Sequence, residues 1–121
     1  MYLVARLIVI AVASGVSAQG PAPSANNAAP PGNAANGKKI YDAYGCYQCH
    51  GFEGQGGGGA RLAPAPRLWF PAWARYVRRP TQNMPPYTAK VVSDQELADI
   101  YAFLLTIPQA RSVSSIPQLA N

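Results

Sequence analysis

Both cysteines of the chain and its only histidine fall within five consecutive residues, where positions 46–50 read C-Y-Q-C-H. C-x-x-C-H is the signature of covalent haem attachment, in which two thiols bond one porphyrin and the adjacent imidazole reaches the iron. This motif constrains the fold, because the rest of the chain has to surround a large flat group bonded at one segment. We predict one covalently bound haem c, with thioether bonds at Cys46 and Cys49 and with His50 as the proximal iron ligand.

A C-x-x-C pair also occurs in structural zinc sites, thioredoxin-like redox sites and disulfides. A structural zinc site needs four N or S ligands, and this chain has only two cysteines and one histidine. A thioredoxin-like site is expected near a strand-helix-strand pattern, whereas residues 37–45 read as helical. A plain disulfide between the two cysteines stays open as the alternative to haem attachment.

Residues 1–18 have the layout of a secretory signal peptide, with Arg6, an apolar stretch and a small-residue end at Ala18. We expect cleavage after Ala18 and export to the periplasm. The apolar stretch is short for a hydrocarbon layer of about 30 Å, which takes about 20 residues to cross. Stable membrane insertion is therefore not expected, and an uncleaved N-terminal membrane anchor is the alternative.

Residues 19–32 contain no charge and no large apolar side chain, which predicts a disordered tether. The folded domain should then comprise residues 33–108, followed by a C-terminal tail, residues 109–121, to which we assign no role. A domain of about 75 residues is small for a self-sufficient hydrophobic core. We expect the haem to complete that core and the apo-protein to be poorly folded.

The periodicity of the chain predicts an all-α fold, since no stretch reads as a strand. Asn33 is a candidate N-cap for a helix at about residues 34–44. A second helix should begin near Pro71 and end before Pro80. The clearest helix starts at a capping box in residues 93–96, S-D-Q-E, and stops at Pro108.

Three segments together resemble a small monohaem class I cytochrome c of the bacterial, exported kind: residues 33–51, residues 83–87 with the letters NMPPY, and residues 93–104. The resemblance implies three to five helices wrapped around one covalently bound haem. It also implies that a glycine and an aromatic residue of the first helix pack against the last helix. The matching positions are Gly37 and Tyr41, facing Ile100 and Phe103, and the bare Gly37 would allow a close approach of the two backbones.

Met84 is the predicted distal iron ligand. The family places a methionine in an M-P motif at this position, and Met84 is followed by two prolines. Met1 is expected to leave with the signal peptide and His50 is the only histidine, so Met84 is the one thioether left to the mature chain. Ligation by His and Met favours a comparatively high reduction potential and a closed iron site.

The sequence also contains candidates for contacts around the haem. In many relatives a proline carbonyl accepts a hydrogen bond from the proximal histidine, and Ala60 occupies that position in this chain. Arg61, Trp69 and Tyr76 are candidates for hydrogen bonds to the haem propionates, although packing or exposure explains each of them equally well. The glycine-rich residues 54–59 lack the ending of a phosphate-binding loop and are predicted to form a flexible loop flanking the haem.

The formal net charge of the chain is +5, and removal of Arg6 leaves +4, from nine basic and five acidic side chains. Four arginines fall in the middle segment, at positions 67, 75, 78 and 79, whereas three acidic residues fall on the last helix. This asymmetry favours docking to an acidic partner, and a merely solvated basic face is the alternative. We do not predict nucleic-acid binding, because the chain is expected to be exported and to carry a haem.

These features predict a non-enzymatic periplasmic carrier that passes one electron at a time between redox proteins, such as a donor dehydrogenase and an acceptor oxidase or another cytochrome. A second hypothesis is the cytochrome subunit of a periplasmic dehydrogenase complex, with a quinoprotein or molybdenum enzyme as the catalytic subunit. A third is a gas-binding or peroxidatic haem protein, which would require Met84 to be away from the iron.

Overall fold

The computed structural model describes residues 28–64 and 66–119. Four α-helices form in this part of the chain, and no strand does: α1 Ala34–Ala43, α2 Tyr47–His50, α3 Phe70–Arg78 and α4 Asp94–Thr106, followed by a 3-10 turn at Val113–Ser115. The predicted all-α class is confirmed. The predicted signal peptide and the first part of the predicted tether lie outside the described residues.

The two long helices start where the sequence predicts. Asn33 caps α1 by accepting a hydrogen bond from the Asn36 amide, and α4 begins with the predicted capping box. In that box Ser93 accepts from the Glu96 amide at 3.2 Å, while the Glu96 carboxylate accepts from the Ser93 amide at 2.7 Å. Each pair satisfies an N–H group that helical geometry leaves without a partner.

The core lies where α1 crosses α4. A Cβ added at Gly37 would collide with the backbone of Asp99 and Ile100, so only glycine allows this approach. One turn later the Tyr41 ring packs against Phe103, with 5.4 Å between ring centroids. The crossing implied by the family resemblance is therefore present.

Helix α3 packs on α4 through aromatic side chains. Trp73 and Phe70 each meet the ring of Tyr101 edge-on at 5.4 Å, and the Tyr101 hydroxyl donates to the Leu68 carbonyl at 3.1 Å. Burial raises the pKa of Tyr101, so this hydroxyl keeps its proton at neutral pH. The aromatic cluster fixes α3 beside the cavity described below.

The residues just before α1 also touch the helical domain. The Pro31 carbonyl accepts a hydrogen bond from the Gln95 side chain at 3.0 Å, and Gly32 lies against the backbone of Ala98. Within the described part of the chain no helix has the length and apolar character needed to span a membrane.

Candidate functional site

A cavity of about 610 Å³ opens between α3, α4 and the segments that connect the helices. Its inner wall is apolar and includes Trp73, Val77, Val92, Leu97 and Ile100. The volume lies within the range of about 300–1,000 Å³ that is typical of small-molecule and cofactor sites. The cavity therefore offers a bulky apolar group a place in the core.

All four predicted site residues line this cavity: Cys46, Cys49, His50 and Met84. The first three lie on or just before the short helix α2, whereas Met84 belongs to the connection between α3 and α4. The two cysteines are free, not joined in a disulfide. Two thiols and an adjacent imidazole beside one apolar cavity are what covalent attachment of a haem requires, so the residues present fit that group. The thioether of Met84 is a further potential iron ligand at the same cavity.

The orientation of His50 is fixed by the carbonyl of Ala60. His50 Nδ1 lies 2.6 Å from that oxygen, which can only accept, so Nδ1 is the donor and, in the neutral ring, Nε2 keeps a free lone pair. Hydrogen bonding of one ring nitrogen is the usual way in which a metal-ligating histidine is oriented. Ala60 stands where many relatives have a proline, and its carbonyl supplies the acceptor for the His50 imidazole all the same.

The glycine-rich loop is bonded to the end of α2. The amide of Gly59 donates to the Cys49 carbonyl at 2.7 Å, and the amide of Gly56 donates to the His50 carbonyl at 2.8 Å. A Cβ at Gly59 would lie 2.9 Å from His50 Cε1, whereas a Cβ at Gly58 would meet nothing within 4 Å. Glycine at position 59 therefore leaves room for the imidazole.

Tyr41 connects α1 to the attachment segment. Its side chain is fully buried, lines the cavity and donates from its hydroxyl to the Gly51 carbonyl at 2.7 Å. Burial is the main cause that raises the pKa of Tyr41, so the hydroxyl remains a donor at any physiological pH. Burial likewise raises the pKa of the Cys46 thiol.

Two of the three candidates for propionate binding line the cavity, namely Arg61 and Tyr76. Trp69 is 49% exposed and does not line it, whereas Trp73 is 6% exposed and does. Trp73 was not among the candidates, although its spacing of four residues from Val77 was a signal for the inner face of α3. Arg67, Gln82 and Asn83 also line the cavity, and no local pattern indicates them.

The cavity is bordered by a segment that has no acidic residue. Between Glu53 and Asp94 the sequence contains six basic residues and no Asp or Glu. Arg61 and Arg67 line the cavity itself, and both side chains are exposed. Positive charge is thus concentrated where the cavity meets solvent.

A comparison with known protein families gives a match over most of the described domain. Residues 32–104 match the family described as cytochrome C oxidase, cbb3-type, subunit III. A search of curated proteins found no match, and a search of solved structures found none. The matched segment spans more than half of the chain and includes the C-x-x-C-H motif, α1, α3 and most of α4. The chain therefore belongs to this family: it contains a cytochrome c-type domain whose cofactor is covalently bound haem c, and its role is electron transfer between redox proteins.

Proposed function

We propose that this protein is an exported one-electron carrier in which Cys46 and Cys49 hold the haem and His50 and Met84 ligate the iron. The observation that carries the proposal is that these four side chains line a single apolar cavity. Bound haem c supplies an iron that gains and releases one electron. With His50 and Met84 both bound to the iron, no coordination position would remain for a substrate, which favours electron transfer over catalysis at the metal.

The residues of the chain provide orientation and an apolar environment. Ala60 holds the imidazole of His50 through Nδ1, so that Nε2 is the nitrogen available to the metal. Trp73, Val92 and Leu97 exclude water from the inner wall, and a low local dielectric favours the less charged redox state. Both contributions act on the reduction potential.

We further infer that the basic border of the cavity docks an acidic redox partner. Arg61 and Arg67 are exposed at the cavity, Arg75 is exposed on α3, and Arg79 is exposed just after the end of that helix. Opposite charges on two partners steer their encounter and raise the association rate at low ionic strength. The partner would thus approach on the side where the cavity meets solvent.

The test is an optical spectrum of the oxidised and the reduced protein. His and Met ligation gives the oxidised form a weak near-infrared band from sulfur-to-iron charge transfer, and Met84→Ala should abolish it. The reduced wild-type protein should not bind carbon monoxide, whereas reduced Met84→Ala should bind it. Carbon monoxide binding by the wild type would instead indicate an open site, as in gas-binding or peroxidatic haem proteins.

A second candidate function is that of a subunit in a larger redox complex. The family description names a subunit of an oxidase, which favours membership in such a complex, and a periplasmic dehydrogenase complex is the other form of this hypothesis. Purification of the native protein under mild conditions distinguishes the two roles. A subunit should elute together with larger chains in a fixed ratio, whereas a free carrier should elute alone at about the mass of its own chain.

A further inference from the structure

Arg78 is the last residue of α3, and its side chain packs against the loop that follows the helix. Its side chain is 19% exposed, whereas Arg75 and Arg79 are exposed. The sequence alone groups all three with the docking face. The structure separates Arg78 from that group, because its guanidinium is largely covered and bonds to other segments of the protein.

The guanidinium of Arg78 donates three hydrogen bonds. Nη1 donates to the carbonyls of Tyr87 and Val92 at 2.8 and 2.6 Å, and Nη2 donates to the carboxylate of Asp94 at 2.6 Å. The planar fork of arginine suits such a set, because its donors diverge at fixed angles. Arg78 thus joins the end of α3 to the start of α4 across the loop between them.

That loop, residues 80–92, carries Met84, and its described backbone forms no helix. Two of the acceptors of Arg78 are carbonyls of the loop itself. Tyr87 is held by two further bonds: its amide donates to the Val77 carbonyl at 3.1 Å and its hydroxyl donates to the Tyr44 carbonyl at 3.0 Å. Tyr87 is therefore tied to α3 and to the segment just before Cys46.

The position of Tyr87 restricts that of Met84. Only Pro85 and Pro86 separate the two residues, and proline rings leave little backbone freedom. On the other side of Met84, Gln82 has a φ of 61°, in the left-handed region that residues other than glycine seldom adopt. Such a conformation persists where surrounding contacts fix the loop.

We propose that Arg78 is a positioning residue for Met84: its bonds to Tyr87, Val92 and Asp94 hold the loop in the conformation that presents the thioether to the cavity. This inference rests on the proposed ligation of the iron by Met84. Arg78 itself does not touch the metal. Its effect is on how easily the loop withdraws Met84 and admits another ligand.

The experiment measures imidazole binding to the oxidised haem protein by the shift of its main absorption band. Imidazole has to displace Met84, so its apparent affinity reports the free energy of opening the loop. Arg78→Gln should raise this affinity about tenfold or more, because bonds to a charged group are lost. Arg79→Gln removes the same charge one position away and should change the affinity by less than about twofold.

Three further variants make the result decisive. Arg78→Lys keeps the charge but not the fork, and should also bind imidazole more tightly than the wild type. Asp94→Asn keeps both carbonyl bonds and should have a smaller effect than Arg78→Gln. Met84→Ala defines the fully open site and should show the highest affinity.

Unchanged imidazole affinity in Arg78→Gln and Arg78→Lys, with only a lower melting temperature, would overturn the positioning role and leave a purely structural one. A Met84→Ala variant that binds imidazole no more tightly than the wild type would instead refute the ligation by Met84 in the proposed function. The two failures therefore give different results.

Discussion

Asp99 on α4 acts as a cap for α1. Its carboxylate is buried, with the residue 4% exposed, and it accepts from the Asn33 amide at 2.8 Å and from the Asn36 side chain at 2.7 Å. Gln95 adds a third bond at 3.0 Å. The Asn33 and Asn36 donors are the main causes that lower the pKa of Asp99 below its ordinary value. In the sequence Asp99 is simply one of three acidic residues on the last helix, whereas the structure shows that it is buried.

Asp99→Asn should lower the free energy of unfolding at pH 7 by about 1–3 kcal/mol, because an amide cannot accept from all three donors. A group whose folded pKa is lowered contributes stability above its unfolded pKa and loses it as the pH falls through the folded pKa. The difference between variant and wild type should therefore be constant above about pH 5 and shrink below about pH 4.

Denaturant unfolding of the haem protein at several pH values measures this difference. Glu53→Gln is the control, since it makes the same change of charge at an exposed position. A difference that stays constant down to pH 2 would contradict the assigned role of the Asp99 carboxylate.

Gly59 and Gly58 form a matched pair beside His50. Gly59→Ala should destabilise the haem protein by about 1–3 kcal/mol, because its Cβ would press on the imidazole and the structure has to shift. Gly58→Ala should be close to neutral, since its Cβ meets nothing within 4 Å. Neither glycine has a positive φ, so space decides the outcome. Thermal unfolding of both variants is the measurement, and equal effects would refute the contact.

At the scale of elements, the crossing of α1 and α4 depends on Gly37. Gly37→Ala should lower the free energy of unfolding by about 2 kcal/mol or more, because the added methyl group forces the two backbones apart. This loss should occur although alanine favours helix over glycine by about 1 kcal/mol. Unfolding by denaturant measures the change.

Ala35→Gly, at an exposed position of the same helix, isolates the propensity effect and should cost about 1 kcal/mol. A Gly37→Ala variant that is more stable than the wild type would show that the helices tolerate separation.

Local signals decided how well each helix could be predicted. The capping box at Ser93 and the Asn33 cap involve residues three positions apart, so the sequence contains both partners of each bond. Pro71 marked the first turn of α3, which begins one residue earlier. Helix α2 was not predicted, because four residues carry no periodicity and its C-terminal carbonyls are satisfied by the distant glycines of the loop.

For the molecule as a whole, the charge distribution predicts how it meets small charged reactants. Arg67→Gln should slow the bimolecular reaction of the reduced protein with ferricyanide several-fold at low ionic strength, because one attractive charge at the cavity is lost. Lys39→Gln removes a charge that does not line the cavity and should have a smaller effect.

Stopped-flow rates measured across a range of ionic strength test this prediction. At about 1 M salt the screening length is about 3 Å, so all three proteins should react at similar rates. Equal slowing by Arg67→Gln and Lys39→Gln at low salt would indicate that net charge matters and that its position does not.

The sequence by itself determined the all-α class, the haem and the ends of the long helices, because each depends on residues that are close together in the chain. It also restricted the candidate iron ligands to His50 and Met84 by supplying few alternatives. Only the tertiary structure decided that Asp99 and Arg78 bond to distant segments of the chain, that Ala60 orients His50, and that Trp73 rather than Trp69 lines the cavity. Charge and aromaticity are visible in a sequence, whereas burial and hydrogen-bond partners arise when distant segments pack together.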